Sequence, residues 1–455
     1  MDRSNRKKDG SIVQKINEGQ LANSILKSTH LIIYRKKGFE SDILYEYQEG
    51  VYKTITPLEL KGIAQRYVPI SIGKDNIFRD VASRMLYTAS NCIIDFETMN
   101  YNERYINLKN GLYDAEDIKM INHTPKLLST IQLDCKYCEE YKEPYYFTKY
   151  INDLCNDGEG NIDFQKIAVL QEWAGLILSN IWGHRVKKCL VLYSALGNTG
   201  KSLFLSIMRE LLGVENVANI SIQKMGSDRW AGANLYAKRL NAVGDQQAND
   251  IVDSSVFKEV TGGDAITVEF KGKQPFPYIF RGVIGIACNE LPVFMDDKGG
   301  HIYERLHIIP CFNVIPKEQR DPRLLEKIMT ERYMVFKWAL VGLHRLINNN
   351  YIFSQCDAAD KAMKDYRSRS NTQYRFITER YEVTGNERKD RVSKLDFANG
   401  YNAFCIEKGL FPIKENNIPS RMEKEGFPLK LYCGYPYYKG IKPRELIEAD
   451  EQIEF

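Results

Sequence analysis

Apolar positions change rhythm along this chain, and the changes divide it. Across residues 1–145, helix-spaced stretches such as LANSILKSTHLIIYRKK and PLELKGIAQRYVPI alternate with short strand-like runs. ILYEYQEGVYKTI alternates apolar and polar residues about Glu49-Gly50, which predicts a hairpin. YINLKNGLYD predicts a strand followed by an Asn110-Gly111 turn. The expectation is a mostly helical N-terminal domain. Over residues 146–365 the rhythm shifts. Helical FQKIAVLQEWAGLILSNIWG precedes four apolar strand candidates, KCLVLYS, RLNAVGD, AITVEFKG and RGVIGIACN. Helical patterns lie between some of them, and that alternation predicts an α/β sheet. A long helical stretch follows, LLEKIMTERYMVFKWALVGLHRLINNN. The polar SQCDAADKAMKDYRSRSNTQ then predicts a linker near 357–372. Residues 366–455 read helix, helix, helix, hairpin, an order that suits a winged-helix DNA-binding module.

Composition narrows the class only a little. Of the 455 residues, 44% are hydrophobic and 27% charged, the balance of an ordinary globular chain. No apolar run approaches the length of a membrane span. The N-terminus is basic but has no apolar core behind it, unlike a secretory signal. Ten cysteines are scattered thinly, which fits reduced thiols in a cytoplasm. The net charge of +4 decides nothing by itself. Residues 370–444, however, carry 14 Lys and Arg against 9 Asp and Glu, a local +5 that points to an anionic partner.

The candidate chemistry starts at ALGNTGKS, residues 195–202, directly after CLVLYS. The phosphate-loop pattern is glycine, four residues, then Gly-Lys-Ser/Thr. Here Ala195 takes the leading position, while Gly197 and Gly200 remain to supply unusual dihedrals. Backbone amides of Gly197, Asn198, Thr199 and Gly200 would cradle phosphates. Lys201 would reach the β- and γ-phosphates of ATP, and the Ser202 hydroxyl would ligate Mg²⁺. Asp245 ends the next strand and could hold the same ion, but Gln246 and Gln247 follow it, so no acid stands beside it to orient water. Asn289 ends a later apolar strand, where an amide could position water. FKEVTGGDAITVEFKGKQPF predicts a hairpin tipped by Phe270, Lys271 and Lys273, suited to a DNA backbone and a base. Arg305 precedes another strand, where in a ring it could reach a neighbour's γ-phosphate.

The order GNTGKS, strand-Asp, K-x-x-TGGD-strand-K, strand-Asn-x-x-Pro, Tyr-Glu-Arg-Leu-x-x-Ile-Pro resembles the superfamily 3 helicases. It is most similar to their phage, plasmid and poxvirus primase-helicase group, over roughly residues 25–440. The resemblance implies an AAA+-type P-loop ATPase core that assembles as a ring, hexameric by family habit, and moves 3′-to-5′ on single-stranded DNA. By position, Lys201 and Ser202 match the phosphate loop, Asp245 the metal carboxylate, Asn289 the sensor, Lys271 the hairpin lysine and Arg305 the finger. Ala195 departs from the pattern, as does Asp245 where relatives often carry glutamate. A compact chain of this order looks like the replication initiators of phages and phage-inducible genomic islands. Primase activity is not expected, because no paired-acid signature stands upstream.

In the C-terminal part, KENNIPSRMEKEGF is the candidate recognition helix. Asn416, Asn417, Ser420, Arg421 and Lys424 could meet phosphates or base edges. YCGYPYYKG is the candidate wing, with Tyr438 and Lys439 near the DNA. Cys135-x-x-Cys138 lacks further ligands at zinc spacing and reads as free thiols. Two functions compete. One is an ATP-driven helicase and initiator of a mobile element, acting on single- and double-stranded DNA at an origin, with host replication proteins as further partners. The other is an ATP-gated origin binder that recruits a host helicase without unwinding.

Overall fold

The structure, a computed structural model, describes residues 16–34, 43–68, 73–88, 92–93, 99–140, 142–246, 251–272, 274–294, 301–370, 372–408, 410 and 412–444. The N-terminal part contains α1 (Glu18–Ser28), β1 (Leu31–Tyr34), β2 (Ile43–Gln48), β3 (Val51–Ile55), α2 (Pro57–Arg66), α3 (Asp75–Thr88) and β4 (Cys92–Ile93). The strands form one sheet in the order β3-β2-β1-β4. The β2–β3 hairpin turns through Glu49 and Gly50, at φ 50° and 90°, as the alternation required. Ile33 and Leu44 face the helices with Ile25, Leu60 and Met85, whereas Ile32, Tyr34 and Tyr45 face the other way. Both faces of the sheet are thus buried. This is a mixed α/β body, not the mostly helical one expected. LIIY continued the helical pattern of the preceding residues and hid the strand.

Strands β5 (Tyr105–Leu108), β6 (Gly111–Asp114) and β7 (Lys119–Ile121) form a small antiparallel sheet. Leu108 pairs with Gly111, so the turn is Lys109-Asn110, one residue earlier than expected. Ile106, Leu108 and Tyr113 pack into the large central core, not into the N-terminal one.

The central body runs α4 (Tyr145–Leu154), α5 (Phe164–Leu178), β8 (Cys189–Tyr193), α6 (Lys201–Leu212), β9 (Val217–Ala218), α7 (Ile222–Ser227), α8 (Ala231–Leu235) and β10 (Leu240–Val243). It continues with α9 (Ser255–Gly262), β11 (Ala265–Val268), β12 (Phe276–Ile279), β13 (Val283–Cys288), β14 (Leu306–Pro310), α10 (Leu324–Thr330), α11 (Arg332–Asn348) and α12 (Asp357–Ser370). Five strands make an all-parallel sheet in the order β14-β8-β13-β10-β9. Such a sheet is covered on both faces, which is why VIGIAC is buried along its whole length. AITVEFKG is not part of it. It forms β11, paired antiparallel with β12 as a separate hairpin. Helices α5 and α11 touch through glycines. A Cβ on Gly342 would lie 2.2 Å from the Gln171 carbonyl, and one on Gly175 2.6 Å from the Ala339 oxygen. The linker expected near 357–372 is largely helix α12. Ala359 and Tyr366 bury it, and the Tyr366 hydroxyl donates to the Pro292 carbonyl at 2.7 Å.

The C-terminal body contains α13 (Thr372–Arg380), β15 (Tyr381–Val383), β16 (Arg391–Ser393), α14 (Lys394–Glu407), α15 (Ile418–Lys424), β17 (Leu429–Tyr432), β18 (Tyr435–Lys439) and β19 (Ile441–Pro443). Strands β16-β18-β17 form one sheet, and β15 pairs with β19. Phe376, Phe397, Tyr401, Phe404, Met422 and Tyr438 make its separate core. The β17–β18 turn runs through Cys433 and Gly434, at φ 49° and 83°, the left-handed pair that suits a two-residue hairpin. Among the described residues, no helix is long and apolar enough to cross a membrane.

Candidate nucleotide site and nucleic-acid-facing surfaces

Apolar β8 delivers the chain to the edge of the sheet, and the loop after it must reverse into α6 within a few residues. Two residues make that possible. Asn198 and Gly200 take φ 59° and 83°, and asparagine is among the few side chains that accept the left-handed region. Neither Ala195 nor Gly197 has positive φ. Alanine in the leading position therefore imposes no strain, and the reversal expected of Gly197 falls to Asn198 instead. Gly200 caps α6, whose first residue is Lys201. The Tyr150 hydroxyl donates to the Gly200 carbonyl at 3.0 Å and braces the loop from behind.

Lys201 is buried. Its ammonium donates to Asn289 Oδ1 at 3.0 Å, to the Leu196 carbonyl at 3.2 Å and to Thr199 Oγ1 at 3.3 Å. Burial draws its pKa down, and nearby groups including Asp245 oppose that pull. Ser202 Oγ donates to the Gly244 carbonyl at 2.6 Å, which ties the start of α6 to the tip of β10 beside Asp245. The loop, Asp245 and Asn289 line one cleft of about 420 Å³. An ammonium, a hydroxyl, a carboxylate and a helix N-terminus therefore converge where β8, β10 and β13 end. This donor set fits a polyphosphate, and its carboxylate and hydroxyl fit a divalent cation.

Gln246 explains why the position after Asp245 supplies no second acid among the described residues of the cleft. Its side chain is buried, its backbone N–H donates to the Ala287 carbonyl at 2.9 Å, and its amide oxygen accepts from the Ile222 N–H at 3.1 Å. The position after Asp245 faces the sheet interior. Gln247 lies outside the described residues.

A second pocket, of about 380 Å³, shares Asn198, Thr199 and Gly200 with the cleft. Its walls include Tyr145, Tyr146, Leu154 and Leu324, with Asp153 among them. Burial raises the Asp153 pKa. The sequence reading passed over these residues. The available signal was the aromatic-rich PYYFTKYINDL upstream of β8. Glu331 fixes that segment by accepting from the Tyr146 and Phe147 N–H groups at 3.0 Å each.

Arg305 stands apart from both. Leu306 pairs with Cys189, the entry end of β8, while the phosphate loop leaves the exit end, where Tyr193 pairs with Pro310. The length of β8 therefore separates Arg305 from its own loop, roughly 13 Å at ~3.3 Å per residue. Arg305 Nη1 donates to the His301 carbonyl at 2.9 Å, and its Nε is buried without a partner among the described residues.

The hairpin also emerges at this entry side, since β12 leads directly into β13. Lys271 and Gly272 form its exposed turn, with Gly272 at φ 75°. Lys273 lies outside the described residues. Phe270 does not present itself to a ligand as expected. It is half-buried, its ring edge-on to Tyr236 at 5.5 Å and stacked on Phe276 at 6.2 Å.

In the C-terminal body, Asn416, Asn417 and Ser420 are exposed and Arg421 is half-exposed, with Ile418 and Met422 turned inward. Lys424 ends α15, and its side chain lies outside the described residues. Tyr438 corrects the expectation for the wing. It is fully buried against Phe397, so it cannot meet DNA, whereas Lys439 is half-exposed.

The fold is mixed α/β, and its parallel sheet and cleft are compatible with a P-loop-like core. Comparison with known proteins agrees in kind. Residues 192–305 match a family model described as a family of unknown function, DUF5906. The chain is 24% identical over 236 residues to a protein of Acanthamoeba polyphaga mimivirus described as "Putative helicase L207/L206". That match takes in 50% of this chain but only 24% of the viral protein, so the chain spans about a quarter of that relative's length. The fold is similar to apo structures of the NrS-1 C-terminal region. One form has a TM-score of 0.52 at 13% identity, with 93% of this chain and 99% of that one covered. A second, spanning 305–718 of that protein, gives 0.52 at 12% identity with 93% and 100% covered.

Proposed function

We propose that this chain is an ATP-dependent DNA helicase of the superfamily 3 type, serving replication of a phage or other mobile element. The observation that carries the reading is the convergence of Lys201, Ser202, Asp245 and Asn289 on one cleft, with Arg305 and the Lys271 hairpin at the opposite end of the same sheet. The β14-β8-β13-β10-β9 order suits an AAA+-type core. The triphosphate lies along the loop, and the aromatic pocket beside it takes the base. Ser202 and Asp245 would hold Mg²⁺, which would supply neutralisation of the phosphate charge. Lys201 leaves its Asn289 partner for the phosphates, which frees the Asn289 amide to orient a water. Arg305 is too far from its own loop to act there, so it serves a neighbour's site in a ring, by family resemblance a hexamer. The C-terminal body, ordered helix, two strands, helix, helix, hairpin and a last strand, is a winged-helix origin binder. It reads duplex DNA through Asn416, Asn417, Ser420, Arg421 and Lys424, with Lys439 on the backbone. Unwinding runs 3′-to-5′, host replication proteins join at the origin, and the compartment is the cytoplasm.

The buried Gln246 supports a second reading, an ATP-gated origin binder that recruits another helicase, because the cleft offers Asp245 as its only acid among the described residues lining it. ATP turnover with and without single-stranded DNA separates the two. The motor predicts DNA-stimulated hydrolysis that Lys201→Ala reduces to background, a loss of about 10³-fold or more. Tight nucleotide binding without turnover in the unaltered protein would instead favour the switch.

A further inference from the structure

If Phe270 packs inward, the hairpin lacks the aromatic partner that its tip was expected to carry, and the structure offers another. Along β11, Ile266 and Val268 are buried while Ala265 and Thr267 are exposed. Phe270 continues the inward row and Glu269 the outward one. Arg229 covers Glu269 with a two-pronged ion pair, Nε to Oε2 and Nη2 to Oε1, each 2.5 Å. Three residues further on, Gly232 packs against the backbone of the same strand, where a Cβ would fall 2.3 Å from the Thr267 carbonyl oxygen. Trp230 sits between these two anchors. Its backbone N–H donates to Asp228 Oδ1 at 2.8 Å, and its ring lies 5.3 Å from the Arg229 guanidinium. It remains 37% exposed, and Glu269, which its neighbour Arg229 holds, stands two positions before the exposed Lys271.

We propose that Trp230 is a base-stacking residue for single-stranded DNA, acting beside Lys271, which takes the phosphate. The assignment rests on the motor reading above. An indole face accepts any base and so grips a strand without reading its sequence, as a translocating contact must. The Arg229–Glu269 pair positions it by fixing α8 to the hairpin, so the ring and the lysine move as one unit.

The test is binding of the full chain, with a non-hydrolysable ATP analogue, to a labelled oligothymidylate and to an abasic oligonucleotide of equal length. The unaltered protein should prefer the strand that carries bases. Trp230→Ala should lower oligothymidylate affinity about tenfold and abolish that preference, and Trp230→Phe should retain it. Lys271→Ala should weaken both strands alike and flatten the salt dependence. The proposal is overturned if the unaltered protein shows no preference, if Trp230→Ala keeps it, or if Trp230→Ala weakens both strands equally, as loss of a subunit contact or of folding would. Loss of binding in neither variant would instead remove the single-strand motor reading itself.

Discussion

The two ends of the five-stranded sheet differ in how completely one chain furnishes them. At the exit end, Lys201, Ser202, Asp245 and Asn289 already face one another across a cleft, with Lys201 and Asn289 in hydrogen-bond contact. At the entry end, Arg305 has a guanidinium nitrogen without a partner among the described residues, and Lys271 stands on an exposed turn. The first end draws all four of these groups from one chain. In the proposed motor, the second would face something else, a neighbouring subunit for Arg305 and a nucleic-acid strand for the hairpin. Packing explains the first arrangement, and the unfinished chemistry of the second motivates the ring.

Substitutions can sharpen this contrast. The largest effect is expected from Arg305→Ala. Under the proposed trans arrangement it should cut hydrolysis about 10³-fold or more while leaving nucleotide affinity nearly intact, as nucleotide-binding titrations beside turnover assays would show. Equal loss of affinity would place Arg305 in its own cleft, against the register of β14 on β8. Asn289→Ala should act next, lowering kcat about a hundredfold with little change in KM. A rise in KM alone would make Asn289 a binding group only.

The smallest effect concerns stability and lies between the two ends. His307, in β14, accepts from Trp173 Nε1 at 3.2 Å, and burial pushes its pKa down from 6.5 to about 3. The unfolded chain therefore takes up a proton below pH 6.5 that the folded chain refuses until about pH 3. Its stabilising contribution is whole above 6.5 and falls by about 1.4 kcal/mol per pH unit below it. Denaturant melts across that window should show the slope, and His307→Asn should lose most of it. An unchanged slope would assign the acid sensitivity to other groups.

How much of this was legible depends on how local the determining contacts are. That residues 197–202 would line a cleft was readable because the candidate phosphate-binding pattern lies in consecutive residues, and the strand tips at Asp245 and Asn289 because a polar residue ends an apolar run. Phe270 was misread because Tyr236, which turns it inward, lies 34 positions away and outside the hairpin's own alternation. Tyr438 was misread because Tyr435 to Tyr438 are nearly all tyrosine, and only the pairing of β18 with β16 decides which ring faces Phe397. Helix α12 looked like a linker because its mean polarity is high, although Ala359 and Tyr366 suffice to bury one side of it. Trp230 escaped notice because nothing in its own segment announces the Arg229–Glu269 pair, which ties its neighbour to the hairpin two residues before Lys271.

The most direct test of the divided sheet is to mix two inactive proteins. Lys201→Ala and Arg305→Ala should each fail to hydrolyse ATP alone. Co-assembled, some interfaces would join an intact Lys201 from one subunit to an intact Arg305 from its neighbour, and hydrolysis should return. Mixed assemblies, verified by mass, that remain inactive would contradict a site completed in trans.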